Sequence, residues 1–259
     1  MNLAILTAND AIGDDRFRLT DARADHIRSV LKLTAGDSVE VGLLDGPQGT
    51  AKIESCDDQG VVIFADSLEN APLPAPTVDI ICALPRPQTL KKILLTSAMM
   101  GVRRLYLVRA NRVEKSYYQS PLLQPENYRP YLLEGLSQGK LTRMPQVTIH
   151  DRFRVFFEDT LKTLYNAADS AEPRMLLPDS ESSASLSDVV SGEKVETTTL
   201  VVGIGPEGGW VPFEVELMEG IGFRPFSLGR WTLRVEHAVT AVLSQLELLR
   251  MNSCRAAPS

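Results

Sequence analysis

The stretch that most limits the fold runs TTTLVVGIGPEGGWVPFEVELMEGI over residues 197–221. A β-branched run ends in a loop that places Gly203, Gly205, Gly208 and Gly209 around Pro206, and a helical pattern opens at Pro212. Glycines leave out side chains, so backbone N–H groups can approach a ligand closely. Strand, rigid loop and helix in that order belong to an α/β domain, whose ligands sit at the carboxyl ends of strands. The alternation extends further. TVDIICAL, RRLYLV, RMLLP, TTTLVVGI and FRPFSLG read as strands, interleaved with helical patterns around residues 90–100, 128–138, 212–219 and 235–251. Such alternation predicts an α/β domain with a mainly parallel sheet.

Upstream, ENAPLPAPT sets Pro72, Pro74 and Pro76 at alternate positions, a pattern that favours an extended linker. A boundary there divides the chain into residues 1–72 and 73–259. The first part is a small β-rich module, with DSVEVGLLDGPQGTAKI and GVVIFADSL as short strands and one short helix at ADHIRSVLKL. At the other end Val235, Ala238, Val239, Val242, Leu246 and Leu249 form an apolar stripe at helical spacing, suited first to core packing and second to a dimer interface. The serine-rich DSESSASLSD reads as a surface loop.

No run of eighteen or more apolar residues occurs, and MNLAILTANDAIGDD lacks a basic leader and an uninterrupted apolar core, so a cytoplasmic protein without a membrane span is expected. Cys56, Cys82 and Cys254 are odd in number and widely spaced, which argues against a disulfide framework and a metal site. The net charge of −6 is unevenly spread: residues 86–154 carry 13 basic and 4 acidic side chains, whereas residues 1–85 carry 6 and 14. Tyr106, Tyr117, Tyr118, Tyr128, Tyr131 and His150 are interleaved with Arg109, Arg112, Lys115 and Arg129 in this basic island, a composition suited to phosphates and stacked bases or, equally, to a solvated helical face.

Gly203, Gly205 and Gly208 also satisfy G-x-G-x-x-G, the fingerprint of a dinucleotide-binding turn. That reading needs an acidic residue closing the next strand, which reads FRPFSLG, and a helix beginning where Pro206 and Glu207 stand. It is a minor alternative. Two neighbouring loops, GIGPEGG and SLGRWTLR, with few charges before Arg230, suit a flat group such as adenine held by backbone polar atoms.

Together, GIGPEGGWVPFEVE and PFSLGRWTLRVEHAV resemble the paired signature of the RsmE-type 16S ribosomal RNA uracil-N3 methyltransferases of the SPOUT class. DHIRSVLKLTAGDSVEV, ALPRPQTLKKIL and RMLLPDSE resemble further segments of that family, so nearly the whole chain is covered. The chain departs from the family pattern at Trp231, where an arginine is expected, at His237, where threonine is expected, and in SAMMGV and SQGK. The resemblance implies a PUA-like β-barrel over residues 1–72, a SPOUT α/β domain with a trefoil knot over residues 73–259, S-adenosylmethionine as methyl donor, no metal, and a homodimer acting on 16S ribosomal RNA or the small ribosomal subunit. A non-catalytic RNA-binding or ribosome-assembly protein on the same scaffold is the alternative.

By motif position the resemblance assigns catalysis to Arg234 first and Arg112 second, with Glu236 orienting an arginine. It assigns cofactor binding to Leu176, Leu177, Gly203, Gly205, Pro206, Glu207, Gly208, Leu228, Gly229 and Leu233. RNA contact falls to His26, Arg28 and Lys32 on the short N-terminal helix, and to Arg109 and Lys115 in the basic island.

Overall fold

Alternate side chains at the very start of the chain enter two different cores: Ala4 and Leu6 join one apolar cluster, Leu3 and Ile5 another. The period of two along a strand makes that division possible. The computed structural model describes residues 2–66, 68–73, 77–165, 172–192, 195 and 197–256. Its N-terminal unit contains β1 (Ala4–Leu6), β2 (Ala11–Gly13), β3 (Arg16–Leu19), α1 (Ala22–Asp25), β4 (Ser38–Leu43), β5 (Gln48–Asp57) and β6 (Gly60–Phe64). These strands form one sheet in the order β1-β4-β5-β6-β3-β2, antiparallel except for the parallel pair β1/β4. Leu6, Leu19, Ile27, Val41, Ile53, Val61 and Ile63 fill its interior. The expected helix at ADHIRSVLKL is shorter than its pattern: α1 passes into a π turn at His26–Val30, and Lys32 follows with φ 55°. Strands β1, β2 and β3 are too short to show a hydrophobic period and were not expected from the sequence.

The rest of the chain adds β7 (Val78–Ala83), α2 (Pro87–Met99), β8 (Val102–Val108), α3 (Pro125–Gly139), β9 (Gln146–His150), α4 (Phe153–Val155), α5 (Leu161–Tyr165), β10 (Arg174–Pro178), α6 (Leu186–Val189), β11 (Leu200–Ile204), α7 (Pro212–Gly220), β12 (Arg224–Phe226) and α8 (Val235–Ala256). Every strand pair is parallel, in the order β12-β10-β11-β7-β8-β9. Both faces of this sheet are covered, and the central strands β7 and β11 are therefore buried along their whole length rather than alternating, with Asp79 the charged residue among their apolar ones. On one face Ile80, Leu105, Leu176 and Val202 meet Ile93 of α2, Leu136 of α3 and Val239 of α8; on the other Ile81, Leu177 and Val201 meet Phe156, Phe157, Met218 and Phe223. The apolar stripe of the last helix is thus core: Val235, Val239, Val242 and Leu246 are buried within the chain itself and give no support to a dimer interface.

The basic island is not a continuous surface. Tyr106 is buried in the core, Tyr128 and Tyr131 pack against the apolar cluster, and Arg103 closes on the fully buried Asp79 through two hydrogen bonds of 2.8 and 2.6 Å. Within the serine-rich segment Ser185 caps the one-turn α6 by accepting from Asp188 N, so that segment is partly helical rather than all loop.

The two units are docked directly. Asp45 Oδ1 accepts from Met144 N at 2.8 Å while Asp45 N donates to the Thr142 carbonyl at 2.8 Å, and Ser137 Oγ donates to the Leu3 carbonyl at 2.7 Å. The expected linker prolines Pro74 and Pro76 lie outside the described residues.

Candidate functional site

Strand β7 leads through α2 to β8 on one side of the parallel sheet, and β11 leads through α7 to β12 on the other, so the carboxyl ends of β7 and β11 flank the point where the winding reverses. Clefts outside the carboxyl ends of strands at such a point are where open α/β sheets bind ligands. The glycine loop of residues 205–209 leaves β11 here, the SLGRWTLR loop leaves β12, and the connection that carries Arg109, Asn111 and Arg112 leaves β8.

Three contacts lock these connections together. Arg112 Nη1 donates to the Gly208 carbonyl. The Glu214 carboxylate, 2% exposed, accepts from Asn111 N at 2.7 Å and from Val211 N at 3.0 Å, so one buried anion holds the connection after β8 and the first turn of α7. Gln245 Nε2 on α8 donates to the Leu228 carbonyl at 3.1 Å and fixes the loop after β12. The sequence shows Glu214 only as an acid near a helix start; its partnership with Asn111 joins segments no local pattern could pair, and Gln245 gave no signal.

The glycines have distinct duties. A Cβ at Gly208 would stand 3.1 Å from Arg112 Cδ, and one at Gly205 would stand 3.2 Å from Trp210 Nε1. Among the described residues that indole nitrogen is buried without a hydrogen-bond partner. Gly203 lies inside β11 and faces Leu177 and Phe223, whose atoms a Cβ would meet at 3.4 Å, so its missing side chain serves packing. The side chains of Leu176 and Leu177 are likewise buried on opposite faces of β10 and have only backbone to offer a ligand. Pro206 is buried, Glu207 exposed; burial first and the Glu207 charge second push the neighbouring Cys82 thiol upward in pKa. Gly229 takes φ 129°, and Leu233 is exposed.

Arg234 is exposed at the start of α8, its carbonyl accepting from His237 N and Ala238 N; among the described residues its guanidinium has no partner. Glu236 is buried and turned to α2, where Lys92 Nζ approaches to 3.1 Å. Its own backbone N–H, then Lys92, hold this carboxyl below the usual carboxylate range against the opposing effect of burial. The residue therefore ties α8 to α2 and does not pair with Arg234. Arg109 lies over the Tyr118 ring, and Lys115 opens an exposed turn. In the N-terminal unit Arg28 pairs with Asp25 at 2.6 Å and also donates to the Asp57 carbonyl, while His26 is half-buried.

Among the described residues no group of three or more His, Cys, Asp and Glu side chains could hold a metal ion, and no helix is long and apolar enough to cross a membrane. Cys56 and Cys82 are free thiols; the Cys254 side chain lies outside the described residues. A cavity of about 410 Å3 lies at the opposite, amino edge of the sheet, between Gln48, Met99, Leu141 and Arg250, and includes no part of the glycine loop.

A family model describing an RNA methyltransferase domain matches residues 71–247. The ribosomal RNA small subunit methyltransferase E of Treponema pallidum (strain Nichols) is 30% identical over 242 residues, covering 93% of this chain and 88% of the relative. A protein of Borreliella burgdorferi, ribosomal RNA small subunit methyltransferase E 1, is 27% identical over 97% of this chain and 100% of its own length. The fold is shared with the crystal structure of a ribosomal RNA small subunit methyltransferase E from Neisseria gonorrhoeae bound to S-adenosyl methionine, with a TM-score of 0.71, 17% identity, and 95% and 98% of the two chains covered.

Proposed function

The chain belongs to the ribosomal RNA small subunit methyltransferase E family of RNA methyltransferases, and from that premise we propose that it transfers a methyl group from S-adenosylmethionine to N3 of a uridine in 16S ribosomal RNA. The observation that carries this reading beyond kinship is the meeting of the GIGPEGG and Arg112 segments at the carboxyl edge of the parallel sheet, through the bond from Arg112 to the Gly208 carbonyl.

The cofactor suits the loop. Gly205 lets the Trp210 indole pack directly against the loop, since a Cβ there would stand 3.2 Å from Nε1, and among the described residues that nitrogen has no hydrogen-bond partner. Backbone groups of residues 205–208, 228–229 and 233 would hold the adenosine and methionine parts. When bound, S-adenosylmethionine supplies an electrophilic methyl group. The protein's share is positioning and charge: bringing two reactants into line can supply several kcal/mol of a displacement barrier, about 7–11 in the best-oriented cases. Uracil N3 must lose its proton and lies in the base-pairing edge, so the base is presented unpaired and the developing anion needs a cation. Arg234, exposed and without a partner among the described residues, fills that role in our reading; Arg112, already engaged with Gly208, positions the loop.

We further assign residues 1–72 as a PUA-like RNA-binding barrel and 73–259 as a SPOUT domain. The separate antiparallel and parallel sheets support this division, with β1 as the seam. A trefoil knot is supported by the path of α8, which leaves the edge strand β12 and packs against α2 and β11. A homodimer is proposed from kinship and from Leu248 and Met251, large apolar side chains exposed on α8.

The test is transfer of a tritiated methyl group to small ribosomal subunits, followed by reverse transcription, which stops at a base methylated on its pairing edge. Label incorporation with a stop at a uridine is expected; ribosomal RNA left unlabelled by a folded protein that binds the cofactor would favour a non-catalytic RNA-binding role.

A further inference from the structure

Three aromatic rings at the carboxyl edge of the parallel sheet each carry a guanidinium beside one face. Arg230 Cζ lies 4.6 Å from the Trp231 ring centroid, Arg154 Cζ 5.3 Å from that of Phe213, and Arg109 Cζ 5.5 Å from that of Tyr118. Their sources are the loop after β12, the segments after β9 and the glycine loop, and the connection after β8. Tyr118 is half-buried, but Trp231 is 70% and Phe213 44% exposed. Arg154 is itself held by Glu158, at 3.1 Å, four residues along its helical turn.

From this arrangement we infer that Trp231 and Phe213 are stacking stations for unpaired bases of a single-stranded RNA segment that crosses the glycine loop, with Arg230 and Arg154 at the adjoining phosphates. The inference rests on the RNA methyltransferase reading and adds where the bases flanking the target are held. An exposed ring with a cation at one face keeps the rest of its π surface for a base, and every base has a π face to offer. Bases inside a duplex are not available for such stacking, so the surface selects single strands. Charge also decides the occupant. The loop SLGRWTLR contains Arg230 and Arg234 and no acid, so a covering surface must bring anions to meet them, and phosphates bring one with every base.

Binding of a fluorescein-labelled oligouridine, and of an RNA hairpin stem of the same length, to the full chain would be measured by anisotropy for wild type, W231A, F213A, the double variant and W231F. Each alanine variant should lower oligouridine affinity roughly five- to a hundredfold, the range for one lost base–aromatic stack. Affinity for the stem and for S-adenosylmethionine should hold, and W231F should recover most of the loss. Oligouridine binding by the double variant at wild-type strength would overturn the inference, as would a loss of affinity that tracks a halved sedimenting mass, since the rings would then be covered by a second copy. Methyl transfer by the wild type, followed in parallel, separates the two levels: transfer with unchanged oligouridine affinity in the double variant removes the stations alone, whereas absence of transfer removes the underlying reading.

Discussion

Arg112 and Gly208 are joined by a hydrogen bond from the guanidinium to the glycine carbonyl, so an arginine on the connection after β8 sets the position of the loop after β11. A side chain at that glycine would crowd the arginine, because a Cβ there would stand 3.1 Å from Arg112 Cδ. Gly208→Val should therefore displace Arg112, and Gly205→Val, crowding Trp210 Nε1 at 3.2 Å, should displace the indole and the loop it packs against. Overpacking of this kind costs about 1–3 kcal/mol in a well-packed setting. We expect both variants to lose S-adenosylmethionine binding by calorimetry while keeping wild-type circular dichroism; undiminished affinity in either would place the cofactor elsewhere.

Arg234 carries the chemical step in our reading, and its contribution should appear in the transition state rather than in binding. Arg234→Ala is expected to lower the single-turnover methylation rate by roughly two to three orders of magnitude, the scale for one lost charge-stabilising donor. Cofactor affinity should barely change. If RNA binding weakens while the bound-state rate stays intact, Arg234 is a phosphate clamp and the catalytic role passes to Arg112.

Glu214 is the anchor beneath both loops. Its replacement by alanine would leave the part-buried Asn111 N and Val211 N without their acceptor, at no more than about 1–3 kcal/mol each, the cost of a fully buried donor left unpaired. Chemical denaturation should show a lower midpoint, and S-adenosylmethionine affinity should fall with it because the loop after β11 is released. A variant with wild-type stability would mean that water replaces the carboxylate.

The N-terminal unit has its own part-buried ion pair, Asp10 with Arg23 at 2.7 Å. Burial opposes ionisation of Asp10, but hydrogen bonds from Arg23 and Thr7 outweigh it and hold the carboxyl below its ordinary value. A carboxyl depressed on folding stabilises the native state above its unfolded pKa of about 3.9, and that contribution disappears as pH falls through the lower folded value. Asp10→Asn should thus melt well below wild type at pH 7, with the gap closing only below about pH 4. A gap that stays constant down to the acid limit would show that the charge of Asp10 contributes nothing.

Local pattern was enough wherever neighbours in sequence are also neighbours in space. RMLLP became β10 over Arg174–Pro178 without a residue's error, and helix α7 opens at Pro212 as its sequence indicates, because the signals for a buried strand and a helix start are contained in a few consecutive residues. The paired motifs GIGPEGG and SLGRWTLR announced the family for the same reason: each motif is short, and its glycines act on their own backbone.

Where a residue's partner lies far along the chain, the sequence was silent. Nothing in EVGLLD shows that Asp45 would dock on Met144, nothing in WVPFEVE that Glu214 would hold Asn111, and nothing in FRV that Arg154 would lie over Phe213. Tyr106 looked like part of a basic, base-stacking surface, yet the strand that carries it is covered on both faces and buries the ring. Glu236 looked like a partner for an arginine two residues away, but the first turn of α8 directs its carboxylate to Lys92 on α2. The amino-acid sequence determined which segments become strands, helices and bare backbone loops, since those choices follow from local torsional preference and hydrophobic period. Only the tertiary structure decided which charges are left exposed and which are consumed in holding the loops, because that depends on the crossing of chain segments that the parallel sheet brings side by side.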